Sequence, residues 1–247
     1  MSGTDMGTNI GGNIDSVKER IAAAAERGGR SEKDITLVCV TKTRSVQEIE
    51  KVLETGVFQL GENRVQEFME KYDKVQDIAE SMGKKPNIMW NLIGHLQKNK
   101  VKYLAGKVSL IHSVDSFGLA EEIEARYSRL DEPAHILIQL NTAGEEQKSG
   151  VAFADCALLA DMIDERLPHV KLCGLMAVVP AAEDPEEVRG YFRDAKKTFD
   201  ALADKRGGKD AGFEHLSMGM THDFEVAIEE GATIVRVGTA IFGPRGQ

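Results

Sequence analysis

Cysteine is scarce in this 247-residue chain: only Cys39, Cys156 and Cys173 are present. Their number is odd, their spacings are wide, and no CxxC or Cys/His ligand pattern occurs. A disulfide framework and a zinc finger are therefore not expected, and no metal is implied. All three read as small buried hydrophobes in a reducing cytoplasm. Long apolar runs are also missing, since none approaches the ~18 residues of a membrane span. The opening MSGTDMGTNIGGN lacks the basic-then-apolar order of a signal peptide, so residues 1–12 read as a flexible lead-in. An excess of positive charge is absent too. Lys and Arg number 31 against 40 Asp and Glu, a formal −9. Such a chain repels phosphate backbones, so broad nucleic-acid binding is not expected. Neither GxGxxG nor a Walker A pattern occurs.

What is present is one alternation repeated from end to end. Eight short apolar or β-branched runs read as strands: Thr36–Lys42, Phe58–Gly61, Ile88–Gly94, Ser109–Val114, Ala134–Asn141, Lys171–Val179, Phe213–Met218 and Thr233–Val237. Most are nearly continuous in apolar character, as parallel strands covered on both faces are. Between them lie stretches with helical periodicity. Val188, Tyr191, Phe192, Ala195, Phe199 and Leu202 form one stripe within Pro185–Arg206, while Glu186, Arg193, Asp194, Lys197 and Asp200 face water. Phe117, Ala120, Ile123, Tyr127 and Leu130 form another, with Ser116 as N-cap. An extra helix, Ser16–Arg27, precedes the first strand. All six prolines fall at element boundaries. Eight strands with intervening helices over residues 13–247 predict a single-domain (β/α)8 TIM barrel; a doubly wound open sheet is the rival.

In such a barrel the chemistry sits at the C-terminal ends of the strands. Lys42 closes the apolar run Leu37-Val38-Cys39-Val40. There it is either a lysine snorkelling from a strand end or a desolvated nucleophile toward aldehydes, and the residues alone leave both open. Ser217-Met218-Gly219-Met220-Thr221 follows strand seven, ahead of a helix expected at Thr221–Glu230 with Thr221 as its N-cap. Arg236-Val237-Gly238-Thr239-Ala240 closes strand eight. Small residues in these two loops suit an anion, and these are the loops in which barrels recurrently bind phosphate. A nucleophilic lysine and a phosphate cradle on one face suggest a phosphorylated aldehyde. Pyridoxal 5′-phosphate (PLP) is one candidate, and a sugar phosphate handled by a PLP-free class I aldolase is another.

A series of segments carries a family resemblance. They include Val40-Thr41-Lys42-Thr43, Gly61-Glu62-Asn63-Arg64-Val65-Gln66-Glu67, and Leu92-Ile93-Gly94-His95 through Lys100. Further on come Ser113-Val114-Asp115-Ser116, Gln139-Leu140-Asn141 through Lys148-Ser149-Gly150, Gly174-Leu175-Met176, and the run from Leu216 to Arg245. Across nearly the whole chain these resemble the pyridoxal phosphate homeostasis protein family, whose barrel is similar to the alanine racemase N-terminal domain. Asn91 and Thr221 depart from the pattern, which has His and Ser there.

The resemblance implies PLP held on Lys42 as a Schiff base, with Asn63 beside the ring. It implies that the backbone and hydroxyl of Ser217, with Gly219, Gly238 and Thr239, hold the phosphate. It also implies that Arg236 faces the pyridine nitrogen. A guanidinium there disfavours ring protonation and weakens the ring as an electron sink.

An alanine-racemase-like enzyme draws a second base, a tyrosine, from an additional C-terminal β domain, and no such segment follows strand eight. Tyr72, Tyr103, Tyr127 and Tyr191 all fall in expected helices, leaving His95 as the best substitute base. The expectation is a monomeric cytoplasmic PLP carrier acting in vitamin B6 homeostasis. It would exchange PLP with apo-enzymes without robust catalysis, and a narrow PLP-dependent amino-acid racemase is the alternative. The Lys98–Lys107 basic stretch reads as a solvated helix face, and Lys148 as a transient phosphate contact.

Overall fold

A computed structural model describes residues 9–83, 88–143, 149–207 and 212–244. Lys148 lies outside the described residues. The strands are β1 (Thr36–Val40), β2 (Gln59–Glu62), β3 (Met89–Leu92), β4 (Leu110–Val114), β5 (Ala134–Asn141), β6 (Val170–Val178), β7 (His215–Ser217) and β8 (Ile234–Val237). Each pairs in parallel with the next, and β1 returns to β8 through Thr36↔Ile234 to Cys39↔Val237. The result is the closed eight-stranded barrel that the sequence predicts. Several strands are shorter than the apolar runs, and β1 and β3 each lose two residues at the C-terminal end. There the chain leaves the ladder to build loops.

Among the described residues eight helices accompany the strands: α1 (Ile10–Arg27), α2 (Val46–Glu54), α3 (Val65–Ser81), α4 (Phe117–Tyr127), α5 (Phe153–Arg166), α6 (Arg189–Arg206), α7 (Phe224–Glu229) and α8 (Thr239–Phe242). The extra N-terminal helix starts six residues earlier than its periodicity indicates. Asn9 caps it by accepting from Gly12 N, and Ile10 is buried, so three residues of the expected lead-in are helical. The α4 stripe stops at Tyr127; Leu130 lies beyond the helix and is exposed. Ser116 stands at the N-cap, but its side chain bonds no helix N–H and meets Asp115 instead. The α6 stripe is as expected, with Phe192, Ala195, Phe199 and Leu202 buried. The basic stretch after β3 is a 3-10 turn, Lys98–Tyr103, rather than an α-helix.

Two apolar regions result. A large one lies between strands and helices. A small separate one, Val38, Leu110, Leu137, Cys173, Met176 and Ile234, is contributed by strand residues facing the barrel interior. The three cysteines are free and buried, and burial pushes each thiol up. No helix among the described residues is long and apolar enough to cross a membrane.

Candidate functional site

A cleft of about 320 Å³ opens at the C-terminal ends of the strands. Lys42, Thr43 and Arg44 reach it from the turn after β1, and Asn63 from the end of β2. Thr221 and His222 reach it from the turn after β7, and Arg236, Gly238 and Thr239 from β8 and the turn that follows. The charges are one-sided. Lys42, Arg44 and Arg236 line the cleft and no carboxylate does, among the described residues, although the chain carries a net −9. Such a lining favours an anionic ligand. Asn63 presents a buried Oδ1 with no hydrogen-bond partner among the described residues, so a polar group is available for a ligand to satisfy.

The two loops that follow β7 and β8 meet here. Ala240 N donates to Thr221 Oγ1 at 3.3 Å, and Arg236 N donates to Gly219 O at 3.0 Å. Gly219 holds φ +91°, and a Cβ on it would stand 2.8 Å from Phe224 Cα and 2.7 Å from Ala227 Cβ. Only glycine lets this loop sit so close to α7. The helix after β7 starts at Phe224, with Asp223 at the N-cap position, so Thr221 is not its cap. Thr221 remains in the turn, on the cleft.

Of the seven residues singled out in the sequence, five line the cleft: Lys42, Asn63, Arg236, Gly238 and Thr239. Gly219 shapes the loop from behind. Ser217 does not line the cleft. As the last residue of β7 it is fully buried, and its Oγ accepts from Arg236 Nη1 at 2.6 Å and lies 3.0 Å from His112 Nδ1. The hydroxyl on the cleft after β7 is that of Thr221, four residues on. His95 is also off the cleft. It is exposed and lies 3.5 Å from Asp115 Oδ2, and the histidine that does line the cleft is His222.

Behind Arg236 runs a buried relay. Arg236 Nη1 bonds Ser217, Ser217 meets His112 Nδ1, and His112 Nε2 lies 3.0 Å from Asn91 Oδ1. Its polarity follows from both ends. Asn91 Nδ2 donates to Leu60 O and Met89 O, so Oδ1 must receive a proton and His112 carries one on Nε2. Burial first, and the Arg236 charge second, hold His112 well below the ordinary histidine value. The ring is therefore neutral, Nδ1 accepts, and Ser217 donates to it. Arg236 also donates to Ala177 O at 2.9 Å; burial lowers it to about 10, so it stays charged at neutral pH. Asp223 opposes that shift through space without a direct bond. Sequence reading missed His112, which stands inside the apolar run of β4. A histidine among strand apolars is the available signal.

Comparison with known proteins follows the same lines. The family described as alanine racemase, N-terminal domain, matches residues 13–246. The pyridoxal phosphate homeostasis protein of Aquifex aeolicus is 46% identical, over 93% of this chain and 95% of that protein. A crystal structure of an unknown protein from Bifidobacterium adolescentis has a TM-score of 0.88 at 38% identity, with 94% of each chain covered. PipY of Synechococcus elongatus, solved with PLP bound, has a TM-score of 0.79 at 28% identity, covering 95% of this chain and all of that one. The chain therefore belongs to the alanine racemase N-terminal domain family and, within it, to the pyridoxal phosphate homeostasis proteins.

Proposed function

We propose that this protein binds pyridoxal 5′-phosphate covalently on Lys42 and carries it reversibly in cellular PLP homeostasis, without sustained turnover. The observation that supports this most strongly is the joining of a lysine on the turn after β1 to an otherwise cationic cleft closed by the two loops after β7 and β8. When bound, the group supplies an electrophilic aldehyde carbon and a phosphate anion. Lys42 would hold the group through its ε-amine, whose condensation with the aldehyde would release the oxygen as water. Lys42 gives the group up again when another primary amine takes its place, so no oxidant or reductant is needed. That chemistry suits delivery to the active-site lysine of an acceptor apo-enzyme.

Thr221, Gly219, Gly238 and Thr239 are the residues we assign to the phosphate, and Arg236 to the ring nitrogen. Arg236 is bonded to Ser217 and Ala177 and keeps its charge, so it disfavours a proton on a facing nitrogen. A ring kept neutral is a weak electron sink, which favours carriage over carbanion chemistry. No tyrosine lines the cleft among the described residues. A racemase reading rests on His222, the histidine that lines the cleft with Lys42, as the second base.

The test is spectroscopic. Protein mixed with PLP is expected to turn yellow, with mass added at Lys42 after borohydride reduction, and Lys42→Ala is expected to lose both signals. Wild-type protein that stays colourless and unmodified overturns the reading. Prolonged incubation with L-alanine or L-serine, followed by chiral chromatography, is expected to show turnover below ~1 s⁻¹, the low end for enzymes. Faster turnover that falls away in His222→Phe favours the racemase.

A further inference from the structure

We propose that Lys71 is a positioning residue for Lys42: its buried ammonium clamps the residues on both sides of the reactive lysine. This rests on the covalent reading of Lys42 given above.

The turn that presents Lys42 is unusual. Arg44 N donates to Thr41 O at 3.0 Å, leaving Lys42 and Thr43 at the apex. Thr43 stands at φ +62°, the single non-glycine residue with positive φ among the described residues. A β-branched residue rarely adopts this region and keeps it only when its surroundings hold it there.

Those surroundings are one cluster. Lys71, on α3, donates to Thr41 O at 2.8 Å, to Glu62 Oε1 at 2.7 Å and to Glu67 Oε2 at 3.2 Å. An ammonium has three N–H donors, and all three are used. Glu62 Oε1 also accepts from Thr41 Oγ1 at 2.7 Å, and Glu67 Oε2 accepts from Thr43 N at 2.8 Å. The residue before Lys42 is thus tied through carbonyl and hydroxyl, and the residue after it through its N–H. Both ties converge on the same ammonium.

The position of the cluster separates its role from binding. Lys71, Glu62 and Glu67 do not line the cleft. Lys71 and Glu62 are buried to 7% and 0% exposure. Burying charge is expensive, and well-packed apolar residues usually serve stability as well. What apolar residues cannot do is grip a carbonyl, a hydroxyl and an amide of one turn at once. The clamp fixes the backbone from which the Lys42 side chain projects, so the ε-amine meets an incoming aldehyde with less conformational search.

The test separates capture from binding. Apo protein is mixed with PLP in a stopped-flow spectrometer to follow covalent capture. Non-covalent affinity is measured with pyridoxine 5′-phosphate, which carries an alcohol where the aldehyde stands. Lys71→Met is expected to slow capture by about tenfold or more while leaving pyridoxine 5′-phosphate affinity within roughly twofold. Glu67→Ala keeps the Glu62–Lys71 pair and removes the acceptor of Thr43 N; it is expected to slow capture less. It also decides the matter if Lys71→Met does not fold. Thr43→Gly added to Lys71→Met is expected to recover part of the lost rate, because glycine accepts positive φ without help. Capture at the wild-type rate in the folded variants overturns the clamp alone, as does a loss shared equally by capture and affinity. Wild-type protein that binds pyridoxine 5′-phosphate but never captures PLP overturns the Lys42 reading, and the clamp with it.

Discussion

Arg236 donates to the hydroxyl of Ser217 at 2.6 Å, and this bond turns a residue beside the cleft into part of the barrel interior. Ser217 is spent on Arg236 and His112, whereas Thr221 reaches the cleft. The two hydroxyls should therefore respond differently to removal.

Ser217→Ala leaves a buried guanidinium N–H and His112 Nδ1 without their partner. It is expected to lower stability by about 1–3 kcal/mol, the cost of an unsatisfied buried polar group, while PLP still modifies Lys42. Thr221→Val removes the acceptor of Ala240 N, so it is expected to lower stability by about 0.5–1.5 kcal/mol, less than Ser217→Ala, and to weaken phosphate-bearing ligands by roughly tenfold, the worth of one hydrogen bond to a charged group. Thermal melts and titration with pyridoxine 5′-phosphate check both. A large affinity loss in a stable Ser217→Ala protein returns the phosphate role to Ser217.

Gly219 makes a sharper demand. At φ +91° any side chain is strained, and a Cβ would stand 2.8 Å from Phe224 Cα, which is backbone and cannot swing aside. Gly219→Ala is expected to cost about 2 kcal/mol or more, since strain and overpacking add. Because the loop must move to relieve the clash, Thr221 and Arg236 shift with it. Affinity for pyridoxine 5′-phosphate is then expected to fall alongside the melting temperature. A variant with wild-type stability argues against the loop conformation described here.

Much of this was legible in the sequence for reasons that are themselves physical. Eight apolar runs covered on both faces leave little choice but parallel strands, and a lysine closing one of them falls at the barrel mouth. Gly219 and Gly238 marked the two loops that meet at the cleft. Side-chain direction was harder to read. Ser217 ends β7 facing inward, and nothing local distinguishes it from Thr221 four residues later. Lys71 was hidden differently. Glu67 and Lys71 are an i,i+4 pair, which on a helix normally reads as solvated. Here Glu67 is half-buried and Lys71 buried, because Glu62, from the end of β2, meets the same ammonium. His112 was masked because β4 is buried on both faces, so no alternation exposes a polar residue as misplaced.

Glu62 gives a prediction whose sign can be worked out. Burial outweighs the attraction of Lys71 and raises its carboxyl from 4.5 to about 7. The folded state then holds a proton that the unfolded chain has already released between those values. Stability from Glu62 is therefore fully present below pH 4.5 and is lost as pH rises through about 7. His112 works in the opposite sense. Its folded value lies well below 6.5, as those of His135 and His215 also fall, so their contribution is present above pH 6.5 and is lost as pH drops. The wild-type melting curve mixes the two trends, and neither shows alone. The difference between wild type and Glu62→Gln removes the histidines, which both proteins share. Glutamine keeps a neutral oxygen for Thr41 and Lys71 and cannot titrate. The stability of wild type relative to Glu62→Gln is expected to fall from about pH 4.5 to about pH 7 and to level off above, by about 1.4 kcal/mol in all for each unit by which the pKa is raised. A difference that stays flat above pH 5 would mean that Lys71 holds Glu62 ionised throughout and that the ion pair, not burial, sets its charge.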